Sequence, residues 1–254
     1  MIVWYVFHLD DLADDDRLPV EDRVRRLQRE RRRLREAIAA RGAEDALLDV
    51  IVRALAALGL TERFDAQFES LASDLRSPTF ATFADWQAKE APFASIFAAA
   101  VAAIFEIDDP AARPGLEDLA FALLVNDVVC DVAEDLARGR TGIPTADFER
   151  FGVDPDVRRP TPEWRALLRH EIERARALLA KGGEAVKRAP RPAQRRLRAG
   201  LAVYEERLAA LERHEYDVFS NRAKPSRARQ VAVAVAAMLP TRGHERARAG
   251  PPRT

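Results

Sequence analysis

A single cysteine, Cys130, among 254 residues excludes an intramolecular disulfide framework and suits a reducing compartment. Long hydrophobic runs are missing too: nothing approaches the ~20 apolar residues that cross a bilayer. The opening MIVWYVFHL is short, lacks a basic start and runs straight into acids, so it makes a poor signal peptide. Neither charge sign is in surplus, since 41 Lys+Arg face 41 Asp+Glu, whereas a nucleic-acid binder would carry a basic excess. Four histidines (His8, His170, His214 and His244) lack zinc-site spacing, no GxGxxG or P-loop is present, and no serine sits in a nucleophile elbow. These absences leave a cytoplasmic protein without a nucleic-acid partner as the expectation.

What the chain does have is the stretch NDVVCDVAEDLARGR, Asn126 to Arg140. Asp127, Asp131 and Asp135 recur every fourth residue, which on an α-helix keeps them within an arc of roughly 80°. The preceding LEDLAFALLV reads as a core helix, so the acids are expected to project into an interior. Three stacked carboxylates repel unless a cation lies between them, and a divalent metal is the usual partner. A second pair, Asp10 and Asp14, has the same spacing near the start of the chain.

With 48% apolar residues the chain can build a sizeable core. Apolar spacing predicts helices over residues 2–15, 19–40, 44–58 and 61–75, the last broken by Ser77 and Pro78. Two pieces follow, 83–90 and 92–105, with Pro92 in the first turn of the second. The helix bearing the three acids runs over 116–137. Residues 139–162, rich in Gly and Pro, read as one long irregular segment that serves as a lid or binding loop. Further helices are expected over 162–180, ending at Gly182 and Gly183, then over 193–219 and 225–239. No strand is expected, and the tail from 241 to 254 reads as disordered. The fold class is all-α, a single helical domain over 1–240 with a central cavity.

Acids on facing helices of such a bundle can hold several Mg²⁺ ions that also ligate substrate phosphates. The reaction this suits is loss of diphosphate, with the metals absorbing leaving-group charge while an apolar cavity shelters a carbocation.

Several motifs, spread in order over roughly residues 3 to 240, resemble those of squalene and phytoene synthases. DDLAD, Asp10 to Asp14, resembles the family's first aspartate-rich motif. DVAEDLARGRTGIP, continuing to ADFERFGV, resembles the second motif and its following loop. AVYEERLAALERHEYDVFSNRAKPSRAR resembles the C-terminal region, and SDL at Ser73 to Leu75 matches a further aspartate position. The resemblance implies the isoprenoid-synthase type of helical fold and head-to-head joining of two farnesyl or geranylgeranyl diphosphates. It makes Asp10, Asp14, Asp131 and Asp135 ligands of Mg²⁺, or of Mn²⁺. Asp127 falls where the family has asparagine, and would coordinate metal or accept a hydrogen bond. Arg140, Tyr216 and Arg222 fall on positions near the diphosphates, while Arg138 is equally a solvated residue. The implied partners are prenyl diphosphates, with peripheral membrane contact as an outlet for oily products.

The chain also departs from that pattern. Phe7 and Cys130 stand where the family places arginines, and Gly142 and Trp86 where it places tyrosines. A helix and a serine-containing segment that family members carry upstream have no counterpart in this sequence. Three readings therefore stay open: a divergent head-to-head prenyltransferase, an enzyme that ionises and cyclises one prenyl diphosphate, and a non-catalytic assembly protein on the same fold. The metal reading predicts that Asp131→Asn abolishes turnover while the far-ultraviolet helix signal is kept. Unchanged turnover in that variant overturns the metal clamp.

Overall fold

The computed structural model describes residues 1–76, 79–220 and 225–238. Among them are ten α-helices and no strand. The expected tail and the break at Ser77 and Pro78 lie outside the described residues. The helices are α1 (Ile2–Asp14), α2 (Val20–Ala39), α3 (Ala46–Leu58), α4 (Thr61–Asp74) and α5 (Phe83–Ile104). A 3₁₀ turn, Pro110–Ala112, leads into α6 (Arg113–Ala137), followed by α7 (Thr145–Phe151), α8 (Pro162–Val186), α9 (Arg191–Arg213) and α10 (Arg227–Met238).

Local chemistry accounts for several boundaries. The Asp45 carboxylate accepts from the backbone N–H groups of Leu47 and Leu48 and starts α3. Thr82 and Asp85 cap each other's backbone at the start of α5. Gly59 ends α3 in the left-handed conformation, at φ +62°.

Four expectations need correction. The helix expected to reach residue 219 ends at Arg213, and Glu215 and Tyr216 beyond it turn the chain at φ +54° and +60°. α5 is one continuous helix that carries Pro92 in its interior. A proline there removes one ladder bond and crowds the preceding turn; Ser70 of α4 donates to the Lys89 carbonyl in that turn (3.1 Å), and the apolar faces on both sides are buried. The segment after α6 is not irregular throughout, because it contains α7. Thr145 N–H donates to the Phe80 carbonyl (2.7 Å) and Ala146 N–H to the Ala81 carbonyl (3.0 Å), which ties α7 to the entry of α5. Finally, Gly182 and Gly183 do not end α8; the helix runs through them to Val186.

The reason lies in the contact between α6 and α8, the most extensive in the molecule. A Cβ on Gly182 would lie 2.8 Å from Leu119 Cβ and 3.1 Å from its Cα, and one on Gly115 would lie 2.7 Å from Ala185 Cβ. Glycine costs a helix interior roughly 1 kcal/mol relative to alanine, but here it lets two backbones approach. Around this pair the apolar residues fall into three clusters. Tyr5, Leu9, Leu55, Phe64 and Ile96 belong to the one joining α1 to α5. Val129, Trp164, Leu168 and Leu208 lie in the one between α6, α8 and α9. Leu116, Leu119 and Val186 close the far end. α10 buries none of its residues and packs on α9.

The two neighbouring glycines should respond to alanine with opposite signs. A Cβ on Gly183 would meet nothing within 4 Å, so Gly183→Ala should stabilise by about 0.5–1 kcal/mol. Gly182→Ala should instead destabilise by about 1–3 kcal/mol through overpacking. Urea unfolding of both variants checks the pair.

Candidate functional site

Arg140, in the loop after α6, connects the two acidic helices. Its Nε donates to Asp135 Oδ1 at 3.0 Å and its Nη1 to Asp14 Oδ1 at 2.9 Å. A residue of the first motif and one of the second thus share one guanidinium, although they lie in opposite halves of the sequence. The acids do not project into a sealed interior, as expected, but line a cleft open to solvent. Side-chain exposure is 57% for Asp14, 43% for Asp131 and 20% for Asp135.

Behind Asp10 lies a group that spacing in the sequence does not reveal. Lys89 of α5 pairs with Asp74 at the end of α4, and with Glu90 at 2.7 Å. Burial of Glu90 and Asp74 raises both carboxyls, while Glu90 and Asp74 together hold the Lys89 ammonium above its ordinary value against its own desolvation. Asp10 is pushed up to about 7, by burial first and then by the charges of Asp14 and Glu90. Desolvation also raises Asp135, with Arg140 opposing.

The other end is different. Asp127 keeps about half its side-chain surface (49%) accessible, and its partner is Arg207 of α9. Burial on its remaining sides raises the Asp127 carboxyl, and Arg207 opposes that shift. The same guanidinium lies 4.0 Å from Asp131 Oδ2 and stands over the Tyr204 ring at 5.7 Å. Cys130, Asp131, Tyr204 and Arg207 line a cavity of about 400 Å³ between α6, α9 and the start of α10.

Of the residues implied by resemblance, Asp10, Asp14, Asp131, Asp135 and Arg140 are placed in or beside the cleft. Tyr216 packs against the second apolar cluster, and its hydroxyl accepts from Arg169 Nε at 3.4 Å rather than from a cleft residue. Arg222 lies outside the described residues, and Arg138 is exposed. The departures have structural counterparts. Phe7 is exposed, and Trp86 is buried, stacked on Phe83 and tilted against Phe121. A Cβ on Gly142 would lie 2.4 Å from Val128 Cγ2, so the loop there presses against α6.

A separate polar group, Asp147, His170 and Glu171, brings potential ligand atoms within 4.8 Å of one another. Its centre is taken by Arg174, whose Nη1 donates to Asp147 at 3.0 Å and to Glu171 at 2.6 and 2.7 Å, with Nη2 at 3.1 Å from His170. The guanidinium also stacks on Phe83, 4.2 Å from the ring centroid. This cation already provides what a metal would, and ties α7 and α8 to the base of α5.

An all-helical domain with two acidic helices facing one cleft, joined by an arginine after the second, defines the class. A profile of the squalene/phytoene synthase family matches residues 3–229. The chain belongs to that family. Phytoene synthase 3 of Zea mays is 33% identical over 108 residues, and 15-cis-phytoene synthase of Synechocystis sp. is 32% identical over 114. Each alignment covers 41% of this chain, and 25% and 32% of the relative, so the chain spans about a third or less of the curated relatives it matches. The crystal structure of squalene synthase HpnC from Alicyclobacillus acidocaldarius superposes with a TM-score of 0.72 at 29% identity, covering 82% of this chain and 80% of the other. A dehydrosqualene synthase in complex with ligand shares the fold, with a TM-score of 0.76 at 19% identity over 93% of this chain and 83% of the other.

Arg174→Ala leaves two buried acids without their cation and should cost about 3–5 kcal/mol at neutral pH. Glu171 is already raised to about 7 by burial. An acid raised in the fold binds more protons there than in the unfolded chain, so stability falls as pH rises from its unfolded value to its folded one. Without Arg174 that fall deepens. Urea unfolding at pH 5 and pH 8 should therefore show a larger cost for the variant at pH 8.

Proposed function

We propose that the protein is a prenyltransferase that joins two prenyl diphosphates, farnesyl or geranylgeranyl, head to head with release of diphosphate. The observation that carries this reading is the Asp14–Arg140–Asp135 bridge, which sets both motifs around one cleft. Family membership agrees with it.

The residues fit a hard divalent cation. Their donor atoms are all carboxylate oxygens, as Mg²⁺ or Mn²⁺ prefers. Asp10 is lifted to about 7 by burial first and then by the charges of Asp14 and Glu90, so added positive charge beside it would favour its carboxylate form. Asp10, Asp14, Asp131 and Asp135 would hold Mg²⁺, which when bound neutralises charge on the departing diphosphate. Asp127 accepts a hydrogen bond from Arg207 through Oδ1, as Asp14 and Asp135 do from Arg140, and its second oxygen would be the one offered to a metal. Arg140 draws the two ligand groups together and keeps donors for phosphate oxygens, since a guanidinium carries five N–H groups. Lys89 places a second positive charge behind Asp10 while Asp74 and Glu90 hold it in position.

A single-substrate cyclase reading draws on Phe7, whose exposed ring supplies no cation beside Asp10. One assay separates these readings. Purified protein is incubated with Mg²⁺ and farnesyl or geranylgeranyl diphosphate, diphosphate release is measured, and the organic extract is analysed by mass spectrometry. A C30 or C40 hydrocarbon is expected. A cyclic terpene supports the cyclase instead, and no diphosphate release at any chain length overturns both.

A further inference from the structure

We propose that Arg207 is a diphosphate-binding residue, a cation delivered from α9 to the corner of the cleft where α6 presents Cys130. This rests on the prenyl-diphosphate reading above and adds to it a residue that lies outside both acidic motifs. Asn126 explains why Arg207 arrives there. Fully buried on α6, it donates through Nδ2 to the carbonyl of Tyr204 on α9 at 2.9 Å. That bond fixes α9 against α6 at Tyr204. One turn further along α9, Arg207 comes level with Asp127, Cys130 and Asp131. Cys130 itself offers no charge. Its thiol lies 3.6 Å from Asn126 Oδ1, and a thiol carries no positive charge in either protonation state.

The guanidinium is aimed but not used up. Its Nη1 donates to Asp127, the Cys130 thiol lies against it, and the 4.0 Å separation of Nη2 from Asp131 is an ion pair beyond hydrogen-bond length. Five N–H donors in a planar fork are more than this arrangement consumes, so Arg207 can keep Asp127 and still face a second anion. Its side chain is 23% exposed, with the head on the wall of the 400 Å³ cavity that Asp131 also lines. An anion entering beside Asp131 meets this cation first. Ser220 and Gln230, on the same wall, add neutral polar groups. Asp127 then acts as a positioning residue, restraining a flexible arginine in the orientation that phosphate oxygens need.

The competing explanation is that Arg207 only neutralises Asp127 and Asp131. Calorimetric titration with inorganic diphosphate in the presence of Mg²⁺ separates the two. Arg207→Ala should weaken binding roughly ten-fold or more, as expected for a lost charge-assisted contact. Asp127→Asn combined with Arg207→Ala should stay as weak as Arg207→Ala alone. Cys130→Arg in the Arg207→Ala background should regain much of the loss, because it returns a cation to the same corner from α6. Arg207→Lys and Arg207→Gln, with their circular dichroism compared with wild type, guard against a folding defect; lysine should keep more affinity than glutamine. Unchanged affinity in Arg207→Ala overturns the proposal, as does recovery in the Asp127→Asn double variant. If Arg140→Ala weakens binding while Arg207→Ala does not, the prenyl-diphosphate reading stands and the role of Arg207 falls. If the wild-type protein neither binds diphosphate nor releases it from prenyl substrates, the underlying reading falls as well.

Discussion

Like-charge repulsion is the constraint around which this molecule is arranged. Two helices present their carboxylates to one cleft, and a few cations stand against those acids and the ones behind them. Arg140 does this for Asp14 and Asp135, Lys89 for Asp74 and Glu90, and Arg207 for Asp127 and Asp131. Each cation comes from a different element: the loop after α6, the first part of α5, and the last third of α9. The cleft is therefore an agreement among several helices and a loop, and the close packing of α6 on α8 gives them a common frame.

Much of the fold is legible in the sequence, because amphipathic period and capping chemistry are local. α1 to α4 and α6 fall close to the expected bounds. Two of the misplaced boundaries share one cause. Pro92 and Gly182 are helix breakers by intrinsic preference, and tertiary contacts overrule them: Ser70 against the disturbed turn of α5, and Leu119 against Gly182 of α8, with Gly183 carried along in the same helix. α7 is hidden among glycines and prolines, since seven residues give too short a window for a period to show.

The site divides along similar lines. The aspartates announce themselves by spacing, and Arg140 by its place after the second motif. Lys89 and Arg207 do not, for each sits in an ordinary stretch of charged helix, and only the folded geometry turns it toward the acids. The Asp147–Glu171–Arg174 group is equally silent. Its members are spread over two helices, and Arg174 reads as one more solvated arginine until its burial is known (16% exposed).

The segment between Arg140 and Thr145 is fastened at both ends. Arg140 grips Asp14 and Asp135, while Thr145 and Ala146 are hydrogen-bonded to the stretch of chain that enters α5. Five residues reach at most roughly 17 Å when fully stretched. The distance from the acidic mouth to the entry of α5 is thus capped by covalent length as well as by packing. Gly142, pressed onto Val128, takes up slack midway. Such a tether sets an upper limit on how far Arg140 and the acids it holds can move from the entry of α5 while both ends stay fastened.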